Sequence, residues 1–279
     1  MQIRTIHHIK SGKLSGWLFF ILLVLTGGRP SLYAADDHKI EDQINETRRL
    51  IQQAVNHNNQ QMLLTARDIF KQMDAIDKYR AIIYYYVGYT DYRLATLFYK
   101  KQDDKKAVYV DEAIRYLKRA VKTNPDFIDA RALLGACYGM KISGPFSAMK
   151  YGPKSNAALT EFPGKQMTNP RVPLLQGISD YFKPAFFGGS SNKALDKMEK
   201  SARLFDQASH QSDFDIRWGY DEVYAWMGKI YMEQKDYRKA RSAFGKALAI
   251  NPDYGWVIQD LIPQLNELQG NSNASYGNF

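Results

Sequence analysis

The sequence predicts an all-α fold built from helical hairpins, and three observations predict it. Between residues 221 and 254, apolar and small residues recur at helical spacing twice. Tyr224, Met227, Gly228 and Tyr231 form one face, Ala240, Phe244 and Ala247 form a second, and Gln234-Lys235-Asp236 is a polar turn between them. Residues 80–99 are apolar or aromatic all the way round a helix, the pattern of a segment covered on every side. Asn-Pro pairs recur, with prolines at positions 125, 170 and 252. They punctuate units of about 41 to 45 residues, since Pro suits the first turn of a following helix, where its missing N–H has no partner anyway.

The elements follow in order. Residues 1–35 precede the fold. Arg4, Lys10 and Lys13 form a positive leader, residues 17–25 an unbroken apolar run, and Leu32-Tyr33-Ala34-Ala35 a stretch with small residues for cleavage. That is the layout of a secretory signal peptide, with an uncleaved signal anchor as the alternative. The run is shorter than the ~20 residues that span a bilayer, so the mature chain is expected not to be an integral membrane protein. Residues 36–78 predict an irregular first hairpin: Ile40, Ile44, Leu50, Ile51 and Ala54 on one helix, Met62, Leu63, Ala66, Ile69, Phe70 and Met73 on the next.

Residues 79–270 predict the repeat array with a C-terminal capping helix. Tyr85, Gly88, Tyr89 and Tyr92 lie on a first helix; Ala113, Leu117 and Ala120 lie on its partner, after a charged turn at 100–106. Leu134, Gly135 and Tyr138 open the next unit. Gly144-Pro145 and Gly152-Pro153 are strong breakers, which predict a loop or short helix before Ala157, Ala158 and Phe162. Leu174, Leu175, Gly177 and Tyr181 open another unit, whose second helix carries Ala194, Met198, Ala202 and Phe205. Phe186-Phe187-Gly188-Gly189 reads as an inserted turn, with Ser190 or Ser191 as the following N-cap. A last helix, about 256–268, is interrupted by Pro263, and the Asn-, Ser- and Gly-rich residues 271–279 read as a disordered tail.

The spacing in 221–254 resembles the tetratricopeptide repeat, a helix–turn–helix unit of about 34 residues. Large residue, Gly, Tyr, Ala, Phe, Ala and Pro all fall at family positions there, and more loosely from residue 81 on. The resemblance implies a tetratricopeptide-like α-α solenoid of about four to five hairpins with irregular insertions. The Phe186-Phe187-Gly188-Gly189 turn followed by Lys193-Ala194 is also similar to the exported repeat proteins associated with TRAP transporters.

Composition narrows the function. The 279 residues carry 38 Lys and Arg against 29 Asp and Glu. Four of those cations and no acid lie in 1–35, and in the remainder the signs are interspersed, so the charge pattern points to solvated helix faces and not to nucleic-acid binding. Cys137, the single Cys, sits in the helical run Leu133-Leu134-Gly135-Ala136-Cys137-Tyr138 and reads as a small buried residue. None of the five His has a partner at ligand spacing, and neither a phosphate-binding Gly loop, a Gly-x-Ser-x-Gly elbow nor a His-Glu-x-x-His helix occurs. Asp213-Phe214-Asp215 could begin a calcium loop, but Tyr224 stands where the closing Glu is required. The expectation is a protein that is not an enzyme and holds no cofactor or metal.

What remains is surface. In the resembled family the first helix of each hairpin lines the concave face. Carried onto this sequence, that places Tyr85, Tyr89, Tyr92, Arg93, Leu133, Met140, Leu174, Ile178, Tyr181, Trp226, Lys229 and Met232 inward, as an aromatic-rich strip. Tyr and Trp bind peptides well at low entropy cost. The leading expectation is an exported scaffold that holds a protein or peptide segment in this groove. The alternative is a periplasmic ligand-handling subunit of a TRAP-type transporter, with a small apolar ligand in a closed pocket among Tyr85, Tyr89, Tyr181 and Trp226. Mass spectrometry of the exported protein should find its N-terminus near Ala34 or Ala35; recovery of the intact chain in the membrane would instead establish the signal anchor.

Overall fold

Eleven α-helices and no strand occur among the described residues of the computed structural model, which are 37–98, 104–161, 168–208 and 216–276. The leader, part of the 100–106 turn, Phe162 and Asp213-Phe214-Asp215 lie outside them. The helices are α1 (Asp37–Asn56), α2 (Gln60–Gln72), α3 (Arg80–Leu97), α4 (Asp104–Thr123), α5 (Ile128–Met140), α6 (Pro145–Thr160), α7 (Arg171–Phe182), α8 (Ser191–Gln207), α9 (Tyr220–Glu233), α10 (Tyr237–Ile250) and α11 (Ile262–Tyr276). Four hairpins, α3/α4, α5/α6, α7/α8 and α9/α10, stack in chain order, with first helix against first helix at α3/α5 and α5/α7. The all-α, tetratricopeptide-like solenoid is therefore the fold.

One contact is repeated in every hairpin. A Cβ added to Gly88 would collide with Leu117, one at Gly135 with Leu159, one at Gly177 with Met198, and one at Gly228 with the Phe244 ring. Each first helix offers a glycine on which one large side chain of the second helix rests, and this sets how closely the pair can cross. Glycine and partner are furthest apart along the chain in α3/α4 and nearest in α9/α10, because the connecting turns differ in length. The atoms nearest a Cβ at Gly228 are those of the Phe244 ring. A leucine there would meet an aromatic ring, not a methyl group.

Local chemistry fixes the helix starts. Asn59 accepts from Met62 N at 3.0 Å, Ser190 from Lys193 N at 3.4 Å, and Asp236 from Lys239 N at 3.1 Å, each satisfying a donor that the first turn would otherwise leave open. Helix α3 is covered as its composition requires: every residue from Ile83 to Ala95 is buried.

The structure departs from the sequence reading at three places. Helix α6 runs unbroken from Pro145 through Gly152-Pro153. Pro145 occupies the first turn, where proline is at home, and the half beyond Pro153 is pinned to α5 by Ser155 Oγ donating to the Gly135 carbonyl at 2.8 Å and by Leu159 on Gly135. Those contacts offset an interior proline, which costs roughly 3 kcal/mol in an isolated helix. At the C-terminus, Pro263 is accommodated by a π-helical turn over Trp256–Leu261, and α11 then continues to Tyr276, beyond the start of the expected tail.

The third departure concerns α1. Helix α2 packs on α3, while the C-terminal end of α1 lies against the last repeat. Asn56 and Asn251, far apart in the chain, exchange reciprocal side-chain amide hydrogen bonds of 3.1 and 2.9 Å, and Asn251 also donates to Asp221 at 2.6 Å. The Asn56 carbonyl approaches so closely that any Cβ at Gly255 would strike it. Ile44, Ile51 and Ala54 of α1 are fully buried in the same core as Tyr85 and Tyr86 of α3.

Replacing Gly228 with Leu should lower the stability of the last hairpin by about 1–3 kcal/mol through overpacking against Phe244. Thermal unfolding checks this, and an unchanged melting temperature would contradict the crossing described.

Candidate functional site

The inward residues divide into two groups. Tyr85, Tyr89 and Arg93 are spaced by four and form one stripe of α3, with Tyr92 beside it. All four are buried, as are Leu133 and Leu174 on α5 and α7 and Met232 on α9. What covers the α3 stripe is the chain itself. Residues 216–219 enter from the far side: the Trp218 ring stacks on Tyr89 at 5.1 Å, and its Nε1 donates to Tyr85 Oη at 2.7 Å. The segment is held by Arg171, whose Nε donates to the Trp218 carbonyl at 2.8 Å and whose Nη2 reaches the Ile216 carbonyl. Arg171 is in turn paired with Asp129 at 3.4 Å.

At the centre, Arg93 of α3 and Glu222 of α9 form a buried bidentate pair, with Nη1 to Oε2 at 3.1 Å and Nη2 to Oε1. The guanidinium lies over Tyr89, Trp218 and Tyr92, 4.9, 5.2 and 5.5 Å from the ring centroids. Burial pushes the Glu222 carboxyl above its ordinary range, and Arg93 opposes that rise. Desolvation likewise drives the phenols of Tyr85, Tyr89 and Tyr92 well up, so none supplies a phenolate near neutral pH. The arrangement is a structural staple between the first and last hairpins.

The second group is open. Trp226 of α9 is half-buried and meets three rings: Tyr181 at 5.5 Å, Phe182 at 5.6 Å and Trp256 at 5.0 Å. Phe182 is 44% exposed. Lys229, one turn along from Trp226, bridges to Glu233 at 2.6 Å and sits 5.5 Å from the Tyr181 centroid, while Tyr181 Oη donates to Glu233 at 2.5 Å. Ile178 and Met140 are partly buried against the core. The expected strip is therefore not one exposed surface. Tyr85, Tyr89, Tyr92, Arg93, Leu133, Leu174 and Met232 are core, while Tyr181 and Trp226 join Phe182 and Trp256 in a four-ring cluster beside a Lys–Glu pair.

Phe182 and Trp256 were missing from the sequence-based strip. Phe182 follows the motif Tyr by one residue, and Trp256 lies past the closing Pro, in the turn that enters the capping helix. Glu222 had a signal that could have found it: a guanidinium on a helix buried as fully as α3 requires a carboxylate partner.

A cavity of about 390 Å³ opens between α1, α3 and residues 217–221, lined by Arg48, Arg49, Tyr86, Tyr89, Trp218 and Asp221 among others. It takes in neither Tyr181 nor Trp226. Cys137 is fully buried, as its sequence context implies, and burial pushes its thiol far above the ordinary range. Among the described residues there is no cluster of three metal-ligating side chains, and no helix is long and apolar enough to cross a membrane.

A family profile described as the tetratricopeptide repeat matches residues 221–254, the α9/α10 hairpin. The α9/α10 hairpin is a tetratricopeptide repeat. Among solved structures, the chain is similar to the HusA haemophore from Porphyromonas gingivalis, with a TM-score of 0.55 and 22% identity over 67% of this chain and 92% of that one. It is also similar to a thermophilic tetratricopeptide-repeat protein of Thermus thermophilus, with a TM-score of 0.53 and 15% identity over 83% and 99% of the two chains. At these identities the likeness is one of fold. No curated protein matches the sequence. Only α9/α10 keeps its glycine and partner as close along the chain as the standard repeat requires, which explains why the profile stops there.

Glu222→Ala leaves Arg93 buried without a counter-charge and should cost about 3–5 kcal/mol. The double variant Arg93→Met/Glu222→Leu, which removes both charges, should lose much less. Equal losses in the two melting curves would contradict the staple.

Proposed function

We propose that this protein is a non-catalytic tetratricopeptide-repeat scaffold that binds a protein or peptide segment at the open aromatic cluster of its C-terminal half. The single observation behind the reading is Trp226: a half-buried indole framed by Tyr181, Phe182 and Trp256. Large aromatic side chains clustered on a rigid scaffold are the usual anchors of binding energy, and stacked hairpins hold such a surface fixed. Lys229 and Glu233 beside the rings offer one charge of each sign for register on the bound segment. Export belongs to the same proposal and rests on the leader pattern of residues 1–35.

The transporter-associated reading needs a closed apolar pocket among Tyr85, Tyr89, Tyr181 and Trp226, and the burial of Tyr85 and Tyr89 beneath Trp218 makes it the weaker of the two. A flat apolar ligand is a second reading, favoured by the four-ring cluster and by the haemophore among the similar structures.

Trp226→Ala is the test. Peptides selected from a random library on the wild-type protein should bind the variant about thirty-fold more weakly, a loss of ~2 kcal/mol. Its melting curve should fall by less than the ~3–5 kcal/mol of a core Trp truncation. Selected peptides that bind both proteins equally would remove the cluster from the function. Quenching of tryptophan fluorescence by haemin in the wild type, lost in Trp226→Ala, would favour the flat ligand instead.

A further inference from the structure

Two turns expose apolar side chains that the fold does not require. Between α7 and α8, Ala185–Phe187 form a 3-10 turn in which Phe186 is 91% and Phe187 58% exposed, with ring centroids 5.1 Å apart. The backbone beneath them is fixed. Phe187 N and Gly189 N both donate to the Pro184 carbonyl, at 2.9 and 3.2 Å. Gly188 takes a left-handed φ of 84°, and a Cβ at Gly189 would strike the Lys183 carbonyl. The rings are presented on a fixed turn, largely outside the core. Between α5 and α6 the first turns of α6 carry Phe146 at 88% and Met149 at 78% exposure, three residues apart and so on one helix face.

These turns belong to consecutive hairpins. Helices α5 and α7 are the first helices of stacked units and run the same way, so their C-terminal ends, and the two tips, lie on one edge of the array. The first tip is basic: residues 139–160 hold three Lys and no acid. The second holds Lys183 and Lys193 between Asp180 and Asp196. Lys141 and Lys183 pair with Asp111 and Asp180. Lys150, Lys154 and Lys193 have no carboxylate partner among the described residues. The next tip, between α9 and α10, is different: it holds Glu233 and Asp236 and no exposed large apolar side chain.

We infer that this edge docks on the surface of an anionic lipid bilayer, with Phe146, Met149, Phe186 and Phe187 entering the interface and the lysines meeting the headgroups. Protruding rings on turns suit insertion between headgroups better than they suit a flat protein interface, and uncompensated lysines beside them match a negatively charged surface. This docking is separate from the aromatic cluster around Trp226 and stands or falls without it.

The test places a polarity-sensitive fluorophore on Phe186→Cys in the full chain. Cys137 is fully buried, so the introduced thiol is the one labelled. A control label goes on Lys122→Cys, at the opposite end of the hairpins. With vesicles of phosphatidylcholine and phosphatidylglycerol, the label at 186 should shift to the blue and the label at 122 should not. The shift should be absent with phosphatidylcholine alone and in the Lys150→Glu/Lys154→Glu/Lys193→Glu variant. It should weaken in 1 M salt, where the screening length falls to about 3 Å. No shift, an equal shift at 122, or a full shift with phosphatidylcholine alone would overturn the inference. So would a shift on concentrating the protein without lipid, which would show a second copy covering the edge.

Discussion

The Arg93–Glu222 pair is the contact on which the interior depends. Neither charge is tolerable alone: each has left water, and desolvation is offset only because the partner is present in two-point geometry with aromatic faces around the guanidinium. Satisfying the pair requires α3 and α9 to meet across the inner face, although 129 residues separate the two side chains in the chain. Once they meet, Trp218 has its slot against Tyr89 and Tyr85, and Arg171 holds the segment that carries it. The Asn56–Asn251 amide exchange and the close approach at Gly255 then bring α1 against the last repeat. An array whose hairpins would otherwise form an open curve is closed on itself by its own chain.

That closure accounts for the abundance of tyrosine. Tyr85, Tyr86 and Tyr89 fill space between α3 and the segments that return over it, and Tyr89 presents its ring face to the buried Arg93. The partly exposed rings are at the other end, where α7, α9 and the turn at Trp256 meet.

Much of this was legible in the sequence. The helix periodicity, the repeat at 221–254, the N-cap at Ser190 and the burial of Cys137 all rest on local rules that tertiary context did not override. The recurring glycines were visible too, but their partners were not: a glycine announces a close crossing without saying whether a methyl group or a ring will occupy it, and at Gly228 it is Phe244. Gly152-Pro153 misled because breaker strength is a property of an isolated helix, whereas Ser155 and Leu159 hold α6 to Gly135. The inner strip was the largest divergence. Family geometry says which residues point inward, and Tyr85, Tyr89 and Arg93 do. It does not say that residues 216–219 and α1 come back over them. Contacts such as Tyr85 with Trp218 and Asn56 with Asn251 join distant parts of the chain and leave no local pattern.

Hydroxyl-radical footprinting read by mass spectrometry measures this division directly. The account predicts that Trp226, Tyr181, Phe182 and Trp256 are oxidised in the folded protein, while Trp218, Tyr85, Tyr89 and Tyr92 are protected until it unfolds. Equal modification of the two sets under native conditions would mean that the inner face is open along its length, and would contradict the closure.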